Sequence, residues 1–340
     1  MKYVSTFAGI GGFDLAFNRA SWSCEAMVEW DPACQKVLRQ HFPTIPLLGD
    51  ISDVTGTQVG RPDLAVGGFP CQDTSIAAPH RAGLAGSRSS NYFEFQRLIG
   101  EHLRLVDSTR PRWVVIENPV GLLTSPRRGS DGVDRTGWDM AAVVRGLEDI
   151  GYGWAYRVVD ARYLGSPQRR ERVLVVGHLG GDPRPAWQVL GDSQDRQQAD
   201  PSRPVGGPAQ AGTDPDALAG GPDGDPAEPV IFRKSARPRP SLAKGGYETW
   251  VPDQYANTLT GFDGGGPARQ THLIVQQGQP PRALTLLEWE RLQGFPDGWT
   301  KAMTDAQRYT AIGNAMHVGM ASWLANRITK VSAALPLLSH

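Results

Sequence analysis

Thr6 to Phe13 reads TFAGIGGF and continues an apolar run, Tyr3 to Phe7, that has the length of a short buried strand. A glycine-rich turn between a strand and a helix lets a ligand approach the backbone, as nucleotide-type cofactors require; tight strand–helix packing yields the same letters. Further apolar runs at Leu64–Val66, Trp113–Glu117 and Val173–Val176 alternate with helical patterns at Phe93–Val106 and Trp138–Ile150. This alternation predicts an α/β chain with a mainly parallel, doubly wound, Rossmann-like sheet, followed by a second, smaller domain.

Composition divides the chain. Residues 1–178 carry the alternating pattern. Residues 179–229 are dense in Gly, Pro, Asp and Gln, with few large apolar side chains to offset ordering entropy, and read as a flexible acidic insertion. Residues 230–283 read as short strands and turns, and 284–340 as a segment returning to the first domain. The formal net charge is zero, but nine acids face three arginines between 181 and 229, whereas seven cations face three acids between 230 and 284. A basic segment therefore follows an acidic one, and a phosphate-binding surface is expected on the smaller domain. The three cysteines leave one unpaired under any disulfide scheme and lack metal-ligand spacing, so reduced thiols, a cytoplasmic setting and no metal are expected. No apolar run reaches membrane-spanning length and no leader pattern opens the chain, so no membrane partner is expected.

Five stretches carry chemistry. Gly67 to Gln72, GGFPCQ, places Cys71 after a proline at the end of an apolar strand, where a thiolate is presented rigidly; a buried, inert cysteine is the ordinary alternative. Glu29-Trp30-Asp31 follows the second strand and offers a carboxylate for ribose hydroxyls and an indole for a flat base. Gly49-Asp50-Ile51 closes a third unit with an acceptor for an exocyclic amine and an aliphatic contact. Glu117-Asn118-Pro119 ends an apolar strand with a carboxylate able to exchange a proton with a bound base. Finally, Gln168 to Arg172, QRRER, leads into the strand at Val173; in a strand Arg170 and Arg172 share one face, so their guanidinium groups converge where a carbonyl, carboxylate or phosphate could sit.

Taken in order, these stretches resemble the DNA cytosine-5 methyltransferase family over nearly the whole chain. EWERLQGFP (Glu288–Pro296) and QRYTAIGNAMHVG (Gln307–Gly319) resemble its last two motifs. The chain departs from the family pattern at Pro119, where valine is usual, and at Asn91, where an aliphatic cofactor contact is usual. The resemblance implies S-adenosylmethionine as cofactor, held by Phe7, Ala8, Gly9, Gly11, Gly12, Glu29, Trp30, Asp50, Ile51, Pro70, Asn91, Asn314 and Ala315. It implies Cys71 as nucleophile, Glu117 as acid at the base, Arg172 as clamp on the base carbonyl, and Arg170 orienting Glu117 or touching the flipped nucleotide.

Double-stranded DNA is the implied partner. Gln72, Ser75, Arg81 and Arg88 after the cysteine, Gln168, and Arg233, Lys234, Arg237, Arg239, Lys244 and Thr258 in the smaller domain are the candidate contacts. A monomer is expected, with a cognate restriction endonuclease as a possible partner. An RNA (tRNA) cytosine-5 methyltransferase and an inactive DNA-binding regulator of the same fold are the alternatives. The insertion and basic smaller domain favour DNA over RNA, and the presence of Cys71, Glu117 and Arg172 favours an enzyme.

Overall fold

A computed structural model of the chain describes residues 1–70, 91–102, 111–125, 133–191, 230–234, 250–260, 272–276 and 279–335. Seven strands form the main sheet: β1 (Lys2–Thr6), β2 (Ser23–Val28), β3 (Leu47–Leu48), β4 (Leu64–Gly67), β5 (Trp113–Pro119), β6 (Tyr152–Asp160) and β7 (Glu171–Leu179). They lie in the order β3-β2-β1-β4-β5-β7-β6, parallel except for β7, which pairs antiparallel with both neighbours.

The central strands are apolar without alternation because both faces are covered. Tyr3, Leu64, Val66, Trp113, Val115, Leu174 and Val176 face one core layer. Their neighbours Val4, Ala65, Val114, Ile116, Val173 and Val175 face the other. Helices α1 (Gly12–Arg19) and α2 (Pro32–His41) contribute to the first layer, and α3 (Asn91–His102) and α4 (Trp138–Asp149) build the second.

Helix α5 (Arg184–Leu190) corrects the expected insertion boundary. It buries Ala186, Val189 and Leu190 in the first layer, and Arg157 Nη1 of β6 donates to Leu190 O at 2.7 Å. Pro and Gly on both sides hid a seven-residue helix whose three apolar side chains suffice to dock it.

The C-terminal region supplies α6 (Leu286–Leu292), α7 (Asp305–Asn314) and α8 (Val318–Ala334). Helix α8 packs on α1 and α5 and buries Met320, Ala321, Leu324, Ala325 and Ile328 in the first core layer. Trp299 locks this return: its Nε1 donates to Ile10 O at 2.8 Å and its ring stacks on His41 with centroids 3.5 Å apart.

A separate antiparallel sheet, β10-β8-β9, is formed by β8 (Val230–Lys234), β9 (Trp250–Asp253) and β10 (His272–Val275). The chain leaving β9 runs beside residues 167–169, where Arg169 N–H donates to Ala256 O at 2.7 Å and Ala256 N–H to Pro167 O at 2.9 Å.

Candidate active site

Strands β2, β1, β4 and β5 are adjacent, with Val28, Thr6, Gly67 and Ile116 aligned in register, so the loops that follow them emerge side by side at one sheet edge. After β1 the chain turns sharply through Phe7 (φ 52°), Gly9 (56°) and Gly11 (84°). Gly11 N–H donates to Ala8 O at 2.9 Å and Ala8 N–H to Val28 O at 3.1 Å.

Glu29 braces this turn. Its Oε2 accepts from Gly9 N–H at 2.7 Å and its Oε1 from Asp31 N–H at 2.8 Å. Burial pushes its carboxyl above the usual range, and the two amides oppose that shift. Each oxygen keeps a lone pair for a further donor. Trp30, next in the chain, is 62% exposed, an indole face open to a flat ligand. Asp50 is exposed at the start of the turn Ile51–Asp53, where its Oδ1 accepts from Ser52 N–H and hydroxyl, both at 2.9 Å.

A Cβ on Gly9 would meet nothing within 4 Å, so the turn leaves room over its backbone. An open glycine backbone, a braced carboxylate and an exposed indole suit an adenosine-bearing cofactor. Two of the expected cofactor residues have other work. A Cβ on Gly12 would lie 2.4 Å from Met316 O, so this glycine admits the C-terminal chain. Ile51 is buried in the second core layer, where its side chain packs.

On the base side, Pro119 of β5 pairs with Arg172 of β7. Glu117, two residues back, shares that face, so it and Arg172 are diagonal neighbours. They form an ion pair, Arg172 Nε to Glu117 Oε1 at 2.7 Å, with both residues 8% exposed. The Nε–H is not aimed along that line, so the attraction is that of two charges; Arg172 Nη1 donates to Glu171 O at 2.8 Å.

The other carboxylate oxygen of Glu117, Oε2, sits where a Cβ on Gly68 would be 2.8 Å away. Gly68 is therefore the residue that allows the strand end before Cys71 to pass over the carboxylate. Asn118 Nδ2 donates to Phe69 O at 3.3 Å, tying the two strand ends together just before the half-buried Pro70. Asn118, between Glu117 and Pro119, makes a tie that no sequence pattern marks.

Arg170, just before β7, is held by backbone carbonyls. Strand β7 begins at Glu171, and Gln168 before it is bridged to Ala256. Fully buried, Arg170 donates to the carbonyls of Leu259, Gly313 and Ala315.

Gln168 is likewise fully buried, with neither atom of its side-chain amide hydrogen-bonded. Arg233 is ion-paired with Asp253, which also holds Arg169 at 3.1 Å, and the Thr258 hydroxyl donates to Arg169 O at 2.6 Å. Asp253 was missed because a lone acid in a basic segment carries no sequence signal. Asn314 is exposed at the end of α7 with Ala315 buried behind it, and Asn91 opens α3, half-buried. Lys234 ends β8. Cys71, Gln72, Ser75, Arg81, Arg88, Arg237, Arg239 and Lys244 lie outside the described residues. Among the described residues, no group of three His, Cys, Asp or Glu side chains is placed to hold a metal ion, and no helix is long and apolar enough to cross a membrane.

The family model described as C-5 cytosine-specific DNA methylase matches residues 1–202 and 233–330. Type II methyltransferase M2.BsuMI of Bacillus subtilis is 30% identical over 98% of this chain and 77% of its own length. Type II methyltransferase M.HpaII of Haemophilus parainfluenzae is 28% identical over 93% of this chain and 86% of its own. In fold, the chain is similar to the S. pombe Dnmt2 methyltransferase, with a TM-score of 0.65, 16% identity and coverage of 97% and 98% of the two chains. A putative DNA modification methyltransferase encoded within an E. coli prophage gives a TM-score of 0.60 at 18% identity, covering 98% and 99%. With the family match spanning both ends of the chain, the protein belongs to the C-5 cytosine-specific DNA methylases, which take their methyl group from S-adenosylmethionine.

Proposed function

We propose that this enzyme methylates carbon 5 of a cytosine turned out of a specific duplex DNA sequence, through a covalent adduct with Cys71. The observation that carries the reading is the buried Glu117–Arg172 ion pair, set against Gly68, three residues before the cysteine.

Carbon 5 of cytosine is a weak nucleophile, so attack needs prior activation. The Cys71 thiolate adds to carbon 6 while Glu117, having taken up a proton when the base is bound, passes it or a hydrogen bond to ring nitrogen 3, and the electron pair displaced from the 5,6 double bond makes carbon 5 enamine-like. S-adenosylmethionine, when bound, supplies an electrophilic methyl group. A base or water then takes the carbon 5 proton, that electron pair re-forms the 5,6 double bond as the thiolate leaves carbon 6, and nitrogen 3 returns its proton to Glu117, restoring the aromatic ring. Arg172 cannot act as a proton relay, because a guanidinium stays charged; its contribution is to hold Glu117 and to offer positive charge to the base carbonyl.

The braced turn at Gly9 and Glu29, with Trp30, Asp50 and the exposed Asn314, forms the cofactor side. Turning the nucleotide out costs a few kcal/mol, offset by phosphate and pocket contacts. Arg237, Arg239 and Lys244, which lie outside the described residues, are the candidate phosphate ligands of the basic segment. The enzyme acts as a monomer and, in a restriction setting, protects the site of a cognate endonuclease.

Transfer of labelled methyl groups from S-adenosylmethionine to duplex DNA, with tRNA as the competing substrate, tests the substrate. Bisulfite sequencing of DNA from cells expressing the protein then reads the target. Label in duplex DNA and protection of cytosines within one short sequence are expected. Label in tRNA alone would overturn the DNA assignment.

A further inference from the structure

Three arginines within four residues of the QRRER stretch grip three different parts of the molecule. Arg169 binds Asp253 at the end of β9, Arg172 binds Glu117 at the base side, and Arg170 reaches into the seam between them. Arg170 Nη2 donates to Ala315 O at 2.6 Å and to Gly313 O at 3.3 Å. Its Nη1 donates to Gly313 O at 3.3 Å and to Leu259 O at 3.2 Å. Gly313 and Ala315 flank the exposed Asn314, so the carbonyls on either side of that residue are held by one planar fork.

Leu259 belongs to the segment that leaves the small sheet. That segment is fixed to residues 167–169 by the Gln168–Ala256 bridge and by the Thr258 hydroxyl on Arg169 O. At its start, Asp253 is paired with Arg233 of β8. One nitrogen, Nη1, is thus shared between the Asn314 turn and a segment rooted in the recognition sheet, and a shift of either carbonyl moves the group that positions the other. A guanidinium buried this deeply cannot shed its charge, so it follows its acceptors rather than releasing them.

We propose that Arg170 is a positioning residue that couples the Asn314 turn to the recognition segment, so that cofactor binding and duplex binding strengthen each other. The inference rests on assigning the Asn314 turn to the cofactor side and the Ala256–Leu259 segment to the DNA side. Coupling of this kind is reciprocal: each ligand raises affinity for the other by the same factor.

The full chain is examined with S-adenosylhomocysteine and an unmethylated, fragmented duplex DNA mixture. In the wild type, hydrogen exchange is expected to slow over Ala256–Leu259 when S-adenosylhomocysteine binds alone, and over Gly313–Met316 when duplex binds alone. Calorimetry is expected to show S-adenosylhomocysteine binding at least about fivefold tighter with duplex present, the lower end of common coupling factors. A lysine ammonium is a point charge that cannot span three carbonyls in one plane, so in Arg170→Lys the factor is expected to fall to about one.

Three results would overturn the proposal: no cross-protection in the wild type, full coupling in Arg170→Lys, or a loss of kcat at saturating substrates in Arg170→Lys with the coupling factor intact. The wild-type exchange decides the matter if the variant does not fold. Failure of the functional reading looks different, because S-adenosylhomocysteine would then leave exchange at the Gly9–Gly12 turn unchanged.

Discussion

The ion pair between Glu117 and Arg172 concentrates the chemistry in two side chains that water scarcely reaches, each 8% exposed. Removing one partner of such a pair strands the other charge in the interior, which costs about 3–5 kcal/mol. Arg172→Ala is therefore expected to lower the urea midpoint markedly as well as to abolish methyl transfer. Glu117→Gln keeps the shape and a donor while losing the proton exchange; kcat is expected to fall about 10²–10⁴-fold with the fold retained. Single-turnover methyl transfer and a denaturation curve on each variant check both statements, and a Glu117→Gln enzyme at wild-type rate would remove Glu117 from the reaction. At this scale the sequence was informative where a residue lies inside a strand and less so just outside it. Glu117 and Arg172 were legible because both strands are apolar runs with clear ends. The carbonyl partners of Arg170 were not legible, because Leu259 and Ala315 stand 89 and 145 residues away in the chain.

At the scale of elements, the first glycine-rich turn does two jobs with neighbouring residues. Gly12 sits against the carbonyl of Met316, so Gly12→Ala forces backbone apart where α1 meets the chain entering α8, at a cost of about 1–3 kcal/mol. Gly9 meets nothing, and Gly9→Ala is expected to lose only about 1 kcal/mol for its positive φ while weakening S-adenosylhomocysteine binding. Urea denaturation and calorimetry on the pair separate the two roles; equal effects on stability would contradict the division. The letters GIGG suited ligand approach and close packing alike, and only the return of the C-terminal chain tells which glycine does which. Element β6 was not read as a strand, and α5 was submerged in an acidic, Pro- and Gly-rich window. Deleting residues 192–226, which leaves α5 in place, is expected to preserve stability and methyl transfer. A deletion begun at 179 removes the buried Ala186, Val189 and Leu190 and is expected to unfold the first core layer. Circular dichroism and label incorporation on both constructions check this, and an inactive 192–226 deletion would show that the acidic segment serves catalysis.

Across the whole molecule, sheet order and the C-terminal return bring together residues as distant as Gly12 and Met316, and this assembly has a pH dependence of its own. Burial pushes His272 down to about 4, and burial together with the Arg170 charge pushes His317 down to about 3, both from 6.5. Each ring is an acceptor in the fold, His272 from Asn257 N–H at 2.6 Å and His317 from Met320 N–H at 3.3 Å. The unfolded chain takes up protons below about 6.5 that the folded chain refuses, so stability falls as pH drops from there, by about 1.4 kcal/mol per pH unit for each group over its window. Denaturation midpoints at pH 7.5, 6 and 5 are expected to descend, and His317→Gln to flatten the slope; a slope unchanged in that variant would contradict the assignment.

The central claim, that carbon 5 is activated by a Cys71 adduct, is tested most directly with duplex DNA carrying 5-fluorocytosine, whose fluorine cannot leave as the proton does. Intact-protein mass spectrometry after incubation with S-adenosylmethionine is expected to show a one-to-one covalent complex that maps to Cys71 and is absent in Cys71→Ala. Methyl transfer to ordinary duplex at wild-type rate in Cys71→Ala, with no trapped complex in the wild type, would contradict it.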